Sequence, residues 1–341
     1  MKLYKTLASD NFASVHPKIL EAIANVNKGH AKAYGYDDIT LKARNLFNEI
    51  FESKVETFFV FNGTGANILA LNACTQRFSS VICPITAHIN VDECGAPEFQ
   101  LGIKTIAIAT KDGKLSVEQI ENYLHVIGNE HHSQPKVISI SQSSELGTVY
   151  STQEIKELAD FAHKHSLYLH VDGARIANAV VSAKTSLAKM LVETKVDVIS
   201  FGGTKNGLML GEAVVFINQD LAKNVLYLRK QSMQLCSKMR YISAQFIALF
   251  ENDLWLSNAK HANSVATYLE SELQKIDWVK VLYPTQSNAV FCQLPREIIP
   301  LLQEKSFFWI WNEEKSIARF MCSFDSSREE IDEFIILLKN V

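Results

Sequence analysis

The strongest constraint on this chain is a repeated alternation of short apolar runs with stretches of helical period. Lys136-Val137-Ile138-Ser139-Ile140-Ser141 reads as a strand. Ser151 and Glu154 follow with the spacing of a capping box. Behind them Ile155, Leu158, Ala159 and Ala162 recur at i, i+3, i+4 and i+7, which is one face of a helix. Leu167 to Val171 reads as the next strand, Val196 to Ser200 as the one after, and Glu212 to Ile217 as a return beside it. Earlier, Val60-Phe61 precedes a helical run from Ile68 to Cys74, and Ser79–Cys83 and Ile103–Ile108 are strand candidates. Ser116 with Gln119 opens a helix over Val117 to Leu124. Strands separated by helices imply a mostly parallel sheet covered on both faces.

The pattern changes after about residue 240. A long helical stretch from Ala244 to Ile276, broken near Asn252-Asp253, leads into shorter strands at Val279–Leu282, Ala289–Cys292, Phe307–Ile310 and Ile317–Met321, then a helix from Arg328 to Lys339. The expectation is a large α/β domain over residues 1–245, with an N-terminal arm, and a small α+β domain over 246–341. No Pro/Gly/Ser-rich linker joins them, so the two should pack tightly. With 341 residues, 47% of them hydrophobic, the chain has material for both cores. A net charge of -3 argues against nucleic acid or an anionic membrane as the main partner. No run is long and apolar enough to span a bilayer, and Met1-Lys2-Leu3-Tyr4-Lys5 opens no secretory signal. Six cysteines without C-x-x-C spacing read as reduced thiols in a cytoplasmic protein. No histidine pair has acidic or cysteine neighbours at metal-ligand spacing, so no metal is expected.

In a sheet of this kind the functional loops lie past the carboxyl ends of the strands. Asn62–Thr64, Thr86–His88, Asp172–Arg175 and Thr204–Lys205 all fall there, and can therefore converge on one crevice. Lys205 sits in Ser200-Phe201-Gly202-Gly203-Thr204-Lys205-Asn206-Gly207, among glycines in a chain with only 14 of them. An amine at one strand end and an acid, Asp172, at another are what pyridoxal 5'-phosphate asks of a protein. The amine forms an imine with its aldehyde, and the carboxylate keeps its ring nitrogen protonated. Gly63, Thr64 and Gly65 open a helix, where free amides and the helix dipole suit a phosphate. His88 can stack on the ring or move a proton. Arg319, within an apolar strand, needs a partner, and a substrate carboxylate is a good bidentate one. Taken singly, each signal has a plainer reading: a glycine turn, a turn aspartate, a surface lysine, a core histidine, or a structural ion pair for Arg319, Arg175 or Arg240.

Together these residues resemble the threonine aldolase/β-eliminating lyase family of pyridoxal phosphate enzymes. The resemblance covers almost the whole chain in motif order. Ser9-Asp10-Asn11, Tyr34-Gly35-Tyr36-Asp37-Asp38, Asn62-Gly63-Thr64-Gly65-Ala66-Asn67, His88, His170-Val171-Asp172-Gly173-Ala174-Arg175, Lys205, Ser237-Lys238-Met239-Arg240 and Arg319 each have a counterpart. It implies the aspartate-aminotransferase-type fold (fold type I). It also implies Lys205, His88 and Asp172 as catalytic residues, with Gly63, Thr64, Gly65 and Arg240 on the cofactor. Ser9, Arg175, Arg319 and Tyr34 fall to the substrate, with Arg240 reaching a neighbouring subunit's phosphate. The chain departs from the family in two places. Ser141-Gln142-Ser143-Ser144-Glu145-Leu146-Gly147 stands where many members have Glu-Asn-Thr-His-Asn, and the loop around Lys205 is not the commoner Ser-Lys-Gly-Leu-Gly.

The expected activity is a lyase cleaving the Cα–Cβ bond of β-hydroxy-α-amino acids, with threonine giving glycine and acetaldehyde. The β-hydroxyl base is left open between His88, a water held by Glu145, and the cofactor phosphate. On the same cofactor, β-elimination, racemisation or transamination of another amino acid is the alternative. A binding protein that has lost turnover is a third, opposed by the presence of both Lys205 and Asp172. The expected partners are a small amino acid and further copies of the chain, as a homodimer or homotetramer.

Overall fold

The computed structural model of the chain describes residues 6–340. Seven strands form the main sheet: β1 (Glu56–Val60), β2 (Ser79–Pro84), β3 (Lys104–Ile108), β4 (Gln134–Ser141), β5 (Tyr168–Gly173), β6 (Val198–Phe201) and β7 (Glu212–Phe216). Their spatial order is β1-β7-β6-β5-β4-β2-β3. Neighbours from β3 through β6 pair in parallel, and β7 runs antiparallel to both β6 and β1. All residues of β2, β6 and β7 are buried, as expected of strands covered on both faces.

One face carries a polar row. Ser139 pairs with His170, Ser141 with Asp172, and Asp172 with Ser200, so β4, β5 and β6 present these side chains side by side near their carboxyl ends. The helix Gly63–Cys74, buried along most of its length, covers this face and packs on Val81, Val137, Val198 and Val214. The opposite face holds the larger core, where Phe47 meets Phe201 edge-on at 5.4 Å and Phe250 at 5.0 Å. Both expected capping boxes form, at Ser116/Gln119 and Ser151/Glu154.

A second, antiparallel sheet has the order β10-β11-β9-β8, from β8 (Lys280–Val281), β9 (Ala289–Gln293), β10 (Trp309–Asn312) and β11 (Ile317–Met321). Beneath it lies a separate core of Val265, Leu269, Phe308, Phe320 and Phe334. The long helical stretch breaks where expected, into Arg240–Phe250 and Leu254–Leu273, because Asn252 and Asp253 both take positive φ. The position 245/246 falls inside the first of these helices, and Phe246, Leu249, Phe250, Trp255 and Ala259 still pack in the larger core. We therefore place the division between domains within Leu254–Leu273, where the packing passes to Val265, Ala266 and Leu269. The N-terminal segment crosses to the small domain: Leu7 joins its core, and the Met321 N–H donates to Leu7 O at 2.8 Å. Among the described residues no helix is long and apolar enough to cross a membrane.

Candidate active site

The carboxyl ends of β5 and β6 lie so close that only glycine fits between them. A Cβ on Gly202 would lie 2.2 Å from Ala174 O, and one on Gly203 would lie 2.4 Å from Leu208 Cδ1. This close approach brings Lys205, on the single turn Thr204–Asn206, to the same cavity as Asp172. The cavity holds about 270 Å³, and Gly63, Thr64, His88, Asp172, Ser200 and Lys205 are among its lining residues.

Asp172 is buried. Its Oδ2 accepts from Asn67 Nδ2 at 2.8 Å and its Oδ1 from the Ala174 N–H at 3.0 Å. Burial alone would raise its pKa. The Asn67 bond and the positive fields of His88 and Lys205 outweigh that and hold it below the ordinary aspartate value. His170, one pleat back, lies between Ser139 Oγ at 2.9 Å and Ser200 Oγ at 3.0 Å, and burial pushes its pKa down to about 4, leaving it neutral. The Lys205 amine makes no hydrogen bond among the described residues. Burial and the nearby Arg175 charge lower its pKa against the opposing pull of Asp10, Asp172 and Glu212.

His88 opens a short helix after β2, and its Nδ1 lies 2.9 Å from Glu93 Oε1. A carboxylate only accepts, so Nδ1 carries the proton. That bond raises the His88 pKa. The same Glu93 oxygen accepts from Asn67 Nδ2 at 2.9 Å, so His88, Glu93, Asn67 and Asp172 form one chain of hydrogen bonds. Glu145, in the loop after β4, accepts on Oε1 from Ser141 Oγ at 2.8 Å and from the His88 N–H at 3.1 Å. Glu212, the first residue of β7, accepts from the Gly203 N–H beneath the Lys205 turn. Burial pushes both Glu145 and Glu212 up to about 7.

At the start of the helix Gly63–Cys74, Asn62 accepts the Gly65 N–H at 2.8 Å, and Gly65 packs against Gln234. Gly65 is therefore committed, while the Gly63 and Thr64 amides have no partner among the described residues and both residues line the cavity. A Cβ on Gly63 would meet nothing within 4 Å.

The other expected residues divide. Arg319, on β11, has a buried Nε without a hydrogen-bond partner, and its guanidinium lies 5.7 Å from the centre of the Trp311 ring. Arg175 is held by Asp10. It donates from Nε to Asp10 Oδ2 at 2.7 Å and from Nη2 to Asp10 Oδ1 at 2.8 Å, which leaves Nη1. A buried guanidinium needs such a partner, and Asp10 also accepts from Asn288 Nδ2 at 3.1 Å. Ser9 Oγ caps the turn Asp10–Phe12 by accepting the Asn11 N–H at 3.1 Å. Tyr34 and Arg240 do not line this chain's own cavity. Tyr34 is 45% exposed, with Lys230 over its ring, and Arg240 donates to Lys28 O and Gly29 O at 3.3 Å.

Sequence reasoning assigned no role to Asn67, Glu93, Asp10 or Glu212. Asn67 and Asp10 stood inside motifs that it did single out. Glu93, five residues past His88, and Glu212, at the head of a strand, gave no periodic or spacing signal.

The sequence matches the family described as beta-eliminating lyase over residues 6–295. It is 40% identical over 327 residues to a low specificity L-threonine aldolase of Pseudomonas aeruginosa, covering 96% of this chain and 94% of that one. A relative of the same description from another Pseudomonas is 39% identical over the same shares. The fold superposes on a Leishmania major threonine aldolase with a TM-score of 0.92 at 31% identity, covering 99% of each chain. The chain therefore belongs to the beta-eliminating lyase family, and its layered sheet is that of fold type I pyridoxal phosphate enzymes.

Proposed function

We propose that the cavity takes pyridoxal 5'-phosphate and that the protein cleaves the Cα–Cβ bond of β-hydroxy-α-amino acids, threonine giving glycine and acetaldehyde. The observation that carries this reading is an amine without a hydrogen bond, Lys205, sharing one cavity with a buried, ionised Asp172. The residues present fit the cofactor. The unpartnered Gly63 and Thr64 amides suit its phosphate. Asp172 has lone pairs left for a protonated ring nitrogen. The lowered pKa of Lys205 favours the unprotonated amine that attacks an aldehyde. When bound, pyridoxal phosphate supplies a sink for the electron pair of the bond that breaks.

The chain's own residues do the rest. Arg319 offers a buried donor to the substrate carboxylate, with Arg175 Nη1 and Ser9 as further anchors. Fixing the carboxylate fixes which bond of Cα stands in line to break. Glu93 holds His88 in one tautomer.

The direct test is the product mixture from L-threonine, D-threonine and their allo isomers. Glycine and acetaldehyde are expected; pyruvate and ammonia without glycine would replace the lyase reading with β-elimination. Replacing Arg319 with glutamine should raise KM for threonine about 10- to 10²-fold, the worth of a charge-assisted hydrogen bond. The absorbance of the bound cofactor should stay unchanged, and an unaltered KM would remove Arg319 from the substrate.

We also propose a cytoplasmic homodimer or homotetramer in which Tyr34 and Arg240 serve a neighbouring cavity. Phe12, Tyr36, Tyr227 and Met233 are exposed apolar side chains suited to such a contact. A sedimentation mass of one chain would remove that proposal.

A further inference from the structure

We propose that Glu145 is a further catalytic residue, whose Oε2 takes the proton of the substrate β-hydroxyl as the Cα–Cβ bond breaks. This rests on the lyase reading above. Oε1 is already engaged by Ser141 and the His88 N–H, which fix the carboxyl in place. Oε2 is buried and has no hydrogen-bond partner among the described residues. Leaving such an oxygen unsatisfied is unfavourable, so its place in a fold calls for an explanation.

Arg319 Nε is a buried orphan of the opposite kind, a donor without an acceptor. Packing links the segments that carry the two. Leu146, next to Glu145, shares an apolar cluster with Phe291, and Phe291 is the β9 residue paired with Arg319 on β11. Both orphans lie within the electrostatic reach of Arg175. A β-hydroxy-α-amino acid carries the complement of this pair: a carboxylate for the guanidinium and, two carbons away, a hydroxyl donor for the carboxyl. One substrate thus satisfies both.

The alternative base at the cavity is less suited. His88 has its Nδ1 committed to Glu93 Oε1 at 2.9 Å, and that bond raises its pKa. Glu145 faces Asp172 from β5 and Arg175 beyond it, His88 and Cys83 from the β2 side, and Ser141 and Tyr150 from its own segment. Burial first, then the Asp172 charge, bring its pKa to about 7, matched to a base working at neutral pH.

In the step, the O–H bond breaks toward Glu145 and its electron pair becomes the aldehyde C=O. The pair of the Cα–Cβ bond stays with Cα. One proton leaves oxygen and one later arrives at Cα, so threonine yields glycine and acetaldehyde without oxidant or reductant.

The test uses the full-chain holoenzyme carrying Glu145→Gln. Threonine cleavage, as kcat/KM, should fall about 10²- to 10⁴-fold. Exchange of the glycine α-proton with solvent deuterium involves no hydroxyl, and should stay within about 3-fold. The cofactor absorbance should be unchanged. Wild-type kcat/KM should rise with pH through an inflection near 7, as the carboxylate forms, and the variant should lose that inflection. Glu145→Asp, which keeps the acid but shortens its reach, should cleave more slowly and retain the inflection. Unchanged cleavage in Glu145→Gln, or cleavage and exchange lost together in both variants, overturns the assignment to Glu145 alone. Wild-type protein that binds the cofactor yet cleaves no β-hydroxy amino acid overturns the lyase reading, and this assignment with it.

Discussion

Protein carrying Lys205→Ala, mixed with pyridoxal phosphate, is expected to lack the visible absorbance of a lysine-bound cofactor and to lose threonine cleavage by on the order of 10⁴-fold or more. The loss should be chemical, not structural. The Lys205 turn is held by groups other than the amine: Asn206 Nδ2 donates to Trp255 O at 2.9 Å, Asn258 Nδ2 donates to Asn206 O at 2.9 Å, and the Gly203 N–H donates to Glu212. None of these bonds uses the side chain that alanine removes. Burying an amine without a hydrogen bond is unfavourable, so the cofactor-free variant should melt no lower than the wild-type chain. Two measurements therefore separate the cases. Survival of the visible absorbance would show that another amine takes the aldehyde. A large fall in melting temperature would mean that Lys205 supports the turn, and the lost activity would then say nothing about imine chemistry.

Much of the fold was legible because its strands are short, apolar and bounded by capping residues. β4, β5 and β6 appear within two residues of their expected limits, and Ser151 and Glu154 cap the helix between β4 and β5 as their spacing required. The return of β7 beside β6 was also readable, since Glu212–Phe216 follows too soon for a helical crossover. Where the packing passes from one core to the other was not. Arg240–Phe250 and Leu254–Leu273 form one apolar, helix-period stretch, and no sequence pattern marks where its contacts pass from one core to another. The site divided in the same way. Asp172 and Lys205 follow strands of a parallel sheet, where topology forces convergence. The Asp10 partner of Arg175 was not legible, because it lies 165 residues away on the N-terminal arm. The Glu93 bond to His88 depends on how a four-residue helix turns after β2, which no propensity fixes.

Asp172→Asn should lower kcat/KM for threonine about 10²- to 10³-fold, the cost of removing one preorganised charge from a desolvated site. The change is nearly isosteric yet not silent. Both Asp172 oxygens are acceptors, toward Asn67 Nδ2 and the Ala174 N–H. An amide in their place turns one acceptor into a donor that faces another donor. Asn67 cannot simply rotate to meet it, because the same nitrogen also donates to Glu93. The cofactor-free variant should therefore be less stable by about 1–3 kcal/mol, the penalty for a buried polar mismatch. The pH dependence has a definite sign. The folded-state pKa of Asp172 lies below its ordinary value. The stability its carboxylate contributes is therefore present above about pH 4 and is lost as pH falls through the folded value. The difference between wild type and variant, measured by denaturant unfolding, should be full at pH 7 and shrink below pH 4. The field of Asp172 also supports the charged forms of His88 and Lys205, so both should deprotonate at lower pH in the variant. Cleavage within about 3-fold of wild type, with the cofactor still bound, would mean that the ring nitrogen does not draw on this carboxylate. The amine and the acid at the ends of β6 and β5 would then share a cavity without sharing a reaction.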